Sequence, residues 1–161
     1  MDELAAAQVR TEQRLEALIG EHKKTRQMVG GLAHTVGYVL ENESYLGPPP
    51  LLRRDHGIEV VEDLKRDYVL CGKAEVEVNI IGKGRRQGRD PWILGECKTQ
   101  LTKRDIDTFL RHMERARRVL PGDAFYVLVT HQAAPKTRQH AADRGVALYF
   151  SYQFGRSQQI V

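Results

Sequence analysis

The chain has 161 residues, 41% of them hydrophobic and 29% charged, and a formal net charge of +4. That balance excludes a disordered chain, no apolar run approaches the roughly 20 residues needed to cross a bilayer, and the length allows one ordinary domain with a small appendage. The first residues, MDELAAAQVRTEQ, lack the basic start and apolar stretch of a secretory leader, so a cytoplasmic chain is expected, with Cys71 and Cys97 as reduced packing thiols.

The first element is a helix. From Leu4 through Leu15, Leu18, Val29 and Leu32 to Val39, seam residues recur in steps of three and four, the heptad spacing of a self-associating helix. Gln8, Thr11, His22 and Thr25 interrupt the first half of that seam, and a helix packed on its own domain satisfies the same pattern. Gly30-Gly31 predicts a break or kink. A second helix then follows over 32–45, closed by Gly47 and three prolines. The predicted division is residues 1–30 as an N-terminal helix, a candidate coiled-coil homodimer segment, and 31–161 as the main domain.

Short strands are expected over 57–64 and 65–70, joined by a tight turn, then over 74–82 and 91–101. Thr102-Lys103-Arg104-Asp105 is a capping pattern. Ile106, Phe109, Leu110, Met113 and Ala116 give one apolar face to the helix that runs on to Leu120. Residues 124–130 read as a buried strand, 134–144 as a helix stopped by Gly145, and 146–152 as a last strand. The order predicts an α/β domain with a mixed sheet.

Two of these strands carry the chemistry. Residues two apart in a strand share a face, so Glu75, Glu77 and Asn79 go together, as do Glu96, Lys98 and Gln100. A sheet pairing these runs gathers acids, an amine and amides, which are costly to bury unless they bind a divalent metal and a phosphate. Gln100 would hydrogen-bond water or phosphate there. From Lys83 to Arg104 seven basic residues stand against two acidic ones, placing Lys83, Arg85, Arg86, Arg89, Lys103 and Arg104 around the cluster as contacts for a polyanion.

In this order the elements resemble the PD-(D/E)XK nuclease superfamily, the restriction-endonuclease-like fold, over residues 32–152. The resemblance rests on the strand Glu77-Val78-Asn79-Ile80-Ile81-Gly82, the following Gly95-Glu96-Cys97-Lys98 and the amphipathic helix after it. It implies a three-layer core with a central mixed sheet flanked by helices, and a Mg2+ (or Mn2+) ion held by Glu96, with Lys98 positioning the attacking water and steadying the phosphate. Glu41 of the first helix would add a carboxylate, with Glu43 in reserve. The sequence departs from the pattern at Asn79, which stands where that superfamily carries Asp. An amide oxygen brings no charge, so either Asn79 holds the metal weakly through its carbonyl oxygen or Glu77 on the same face takes over the metal and the catalytic role. The resemblance leaves two readings, a metal-dependent endonuclease whose expected partner is DNA, and a catalytically silent nuclease-fold module that binds nucleic acid or a protein.

Overall fold

The computed structural model describes residues 2–155. Two compact units divide the chain, Met1–Val36 and Gly37–Val161. In the first, every described residue belongs to helix α1, Asp2–Leu46, whose last turns belong to the second unit. The expected break at Gly30-Gly31 is absent, because glycine in a helix interior costs about 1 kcal/mol per residue without removing a backbone hydrogen bond.

The prolines after Gly47 do more than close α1. They open a helix the sequence pattern did not predict, α2 (Pro48–His56), since proline in a first turn gives up only an N–H that has no partner there. Gly57 ends it in the left-handed region (φ 64°), where its N–H reaches back to the Arg53 carbonyl and the following Ile58 N–H to the Leu52 carbonyl.

Five strands form one sheet in the order β1 (Glu59–Cys71), β2 (Ala74–Arg85), β3 (Trp92–Leu101), β4 (Ala124–Ala133) and β5 (Ala147–Phe150). The first three pair antiparallel, and β3–β4 and β4–β5 pair parallel. The two strands expected over 57–64 and 65–70 are one continuous strand. Three register shifts between Val60 and Asp67 bend β1 where a turn was expected, and it stays paired to β2 throughout. The chain reverses at Gly72-Lys73, with Gly72 at φ 68°. The last strand is shorter than expected and passes into a single helical turn, Ser151–Gln153.

Helices cover both faces. On one side α3 (Lys103–Val119) seats Ile106, Phe109, Met113 and Ala116 against Val76, Val78, Leu94 and Leu128, with α4 (Pro135–Asp143) adding Ala141. On the other, Leu40 of α1 and Leu51 and Leu52 of α2 pack on Ile80, Ile93, Val127 and Val129. The architecture is α/β with a mixed sheet, as the element order predicts, and helices lie on both of its faces.

Candidate functional site

The sheet parts along part of its length. Strands β2 and β3 pair from Lys83↔Trp92 to Ile80↔Gly95. Beyond that point the first half of β2 remains on β1, while β3 continues along β4 from Glu96↔Leu128 to Leu101↔Ala133. A cleft of about 340 Å3 opens where they diverge, lined by Glu75, Glu77, Asn79, Gly95 and Glu96 and floored by Phe109, His112, Met113 and Arg115. Gly95 stands at the point of divergence. A side chain there would run into the Val127 carbonyl and Cγ1, so only glycine keeps β3 this close to β4.

The strand pleat sends the two central carboxylates to opposite faces. Val76 and Val78 join the core under α3, so Glu77 between them turns toward α1. There Arg66 of β1 meets it, Nη1 to Oε1 at 3.3 Å. Leu94 also lies under α3, which puts Glu96 on that side, within the fields of Lys98, Asp105 and His112. The intervening Cys97 faces α1 and Ser44. Both carboxylates reach one cleft because the sheet opens between them.

Glu96 is half-buried, and its carboxyl titrates above the ordinary range. Burial is the main cause, Asp105 adds to it, and Lys98 and His112 oppose it. No hydrogen bond or ion pair holds its side chain among the described residues, and the same is true of Asn79. Lys98 instead leans to Asp105, Nζ to Oδ1 at 4.0 Å. Asp105 is fixed in turn by the Thr102 capping box, with Thr102 N–H and Oγ1–H donating to its Oδ2 at 2.9 and 2.8 Å.

The other expected residues lie outside the cleft lining. Glu41 is mostly buried and gripped by Arg66, Nε to Oε1 at 2.9 Å and Nη2 to Oε2 at 3.0 Å, while Tyr45 donates to Oε1 at 2.8 Å. Glu43 is exposed. Gln100 is exposed and paired in register with Gln132. Lys103 and Arg104 open α3, close in sequence to Asp105 and Lys98.

The hairpin residues sit elsewhere than expected. Lys83, Arg85, Arg86 and Arg89 surround the β2–β3 turn at the far end of both strands, about 20 Å of extended chain from Asn79. Lys83 stacks on Trp92 at 4.5 Å, Arg85 pairs with Asp90 at 3.5 Å and Arg89 with Asp123 at 3.6 Å. An antiparallel hairpin separates its loop from its strand ends, so charges near the cluster in sequence are distant from it in space.

Two residues escaped the sequence reading. His112 lines the cleft, and its spacing from Asp105, Phe109 and Ala116 on one helical stripe was the signal for it. Arg66 carried no signal, because its partners depend on cross-strand register.

Magnesium takes hard oxygen ligands and needs only one or two protein carboxylates. The cleft offers Glu96 without an ion pair among the described residues, Glu77 shared with Arg66, and the Asn79 amide oxygen. Among the described residues no group of three or more His, Cys, Asp or Glu side chains gathers in metal-binding geometry. These donors are hard oxygens, the ligand type magnesium takes, with one carboxylate unpaired and one shared.

No family model matches the chain, and neither a curated protein nor a solved structure does.

Proposed function

We propose that this protein is a divalent-metal-dependent endonuclease that hydrolyses phosphodiester bonds of DNA, built on a restriction-endonuclease-like domain. The reading rests on Glu96, a desolvated carboxylate without an ion-pair partner among the described residues, opening on a cleft it shares with Glu77 and Asn79. Leaving such a charge unpaired is costly, and sites that must receive a cation have this character. Glu96, Asn79 and Glu77 would hold a Mg2+ or Mn2+ ion, which acidifies a bound water and offsets phosphate charge. Lys98, on the face of Glu96, supplies a mobile point charge that leaves Asp105 for the scissile phosphate. Arg115 at the cleft floor, with Lys103 and Arg104 at the start of α3, gives the approaching strand a cationic border, and the His112 ring lines the cleft beside it.

The test is cleavage of plasmid and branched DNA with magnesium or manganese. The natural protein should nick DNA, Lys98→Ala should lose at least about a hundredfold, and Asn79→Asp should be faster. A second reading, a silent module that binds nucleic acid, is favoured by the neutral Asn79 and by the hold of Arg66 on Glu77. Cleavage appearing only in Asn79→Asp would select it.

A further inference from the structure

Arg66 touches two of the four side chains that the sequence assigned to the metal. Two of its nitrogens grip both oxygens of Glu41, which is mostly buried, and the third reaches Glu77, which is 44% exposed. The grips are unequal. The Glu41 contacts are paired bonds of 2.9 and 3.0 Å, reinforced by Tyr45, whereas Glu77 is held by a single 3.3 Å contact. Glu77 also lines the cleft that Glu96 enters from the other face. A carboxylate between a fixed guanidinium and an open cleft has two cationic partners available, one built in and one from solution.

We propose that Arg66 is the resident counter-cation of Glu77, and that a divalent ion binding at Glu96 takes Glu77 from it, so that Arg66 sets the metal affinity of the cleft. This rests on the metal reading given above. The Arg66–Glu77 arm yields and the Arg66–Glu41 pair stays, because an exposed single contact is worth little whereas Glu41 would be left as a mostly buried, unpaired charge. Arg66 is a positioning residue, acting through Glu77.

The experiment measures Mn2+ binding to the full chain by calorimetry and by electron paramagnetic resonance of free Mn2+, with circular dichroism as the check on folding. Arg66→Met, which keeps an unbranched apolar stem without the charge, should bind Mn2+ up to about fivefold more tightly than the natural protein. Arg66→Lys should return affinity toward the natural value, and the gain should vanish when Glu77→Gln is combined with Arg66→Met. Equal affinity in the natural protein and Arg66→Met, or a gain that persists with Glu77→Gln, overturns the role of Arg66. If that equal binding is abolished by Glu96→Gln, the metal reading survives alone. Absence of Mn2+ binding in every variant removes the metal reading and this proposal together.

Discussion

At the scale of single residues the informative groups are those whose environment opposes their charge. The folded state holds the Glu96 carboxyl above its unfolded value, chiefly by burial. Such a group costs stability progressively as pH rises from its unfolded pKa through its folded pKa, carries the full penalty above that, and is free of it below the unfolded value. Glu96→Gln removes the buried charge at constant shape. It should therefore raise stability at neutral pH by about 1 kcal/mol in urea titration while abolishing Mn2+ binding, the usual trade between a site and its scaffold. Under the metal-dependent function proposed above, the same raised pKa makes Mn2+ affinity fall with acid sooner than at an ordinary carboxylate, since only the ionised form is a ligand. Cys97, next in the strand, is pushed up to about 11 by burial, with the Glu41 carboxylate adding to it. Its thiol stays protonated at pH 8, so alkylation by iodoacetamide should be slower than at an unperturbed cysteine by more than tenfold, measured by mass spectrometry of the modified peptide.

Elements decide where these residues meet. Gly95 lets β3 lie against β4 while parting from β2, and Gly95→Ala should cost about 2 to 3 kcal/mol, because a Cβ there strikes backbone as well as the Val127 side chain. A thermal melt of that variant checks it. Much at this level was legible in the sequence. The Thr102–Asp105 capping box and the stripe of Ile106, Phe109, Met113 and Ala116 are local patterns, and α3 forms and packs as they dictate. Glu96 could be picked out because its strand, its turn of charge and its following helix are all encoded within a few residues. The continuity of β1 was not, since its bulges are set by pairing with β2 and not by its own composition. Nor was the partition of basic residues, because proximity along a hairpin says nothing about which end of the strands a loop occupies. That partition makes a prediction for DNA. Replacing Lys103 and Arg104 by Ala should weaken binding uniformly across sequences and reduce the salt slope by about two, measured by fluorescence anisotropy. Replacing Arg86 and Arg89 at the hairpin should change the slope by less.

For the whole molecule the question is what α1 is for. Every described residue up to Val36 is exposed, Leu15, Leu18, Val29, Leu32 and Val36 among them, Leu18 at 62%. A helix in water keeps its form mainly by burying one face against a partner, and no described helix is long and apolar enough to cross a bilayer. Those five side chains, buried at about 1.5 kcal/mol each and contributed twice in a pair of identical helices, yield a gross gain on the order of 15 kcal/mol. Association costs about 4 to 15 kcal/mol, and Gln8, Thr11, His22 and Thr25 on the seam reduce what remains. The expected outcome is a homodimer of modest affinity, with dissociation in the micromolar range. Sedimentation of the full chain should show a concentration-dependent dimer, and a chain lacking residues 2–36 should be monomeric with the α/β unit still folded, because its core draws nothing from the removed segment. A full chain that sediments as a monomer at tens of micromolar would leave the heptad seam without its partner.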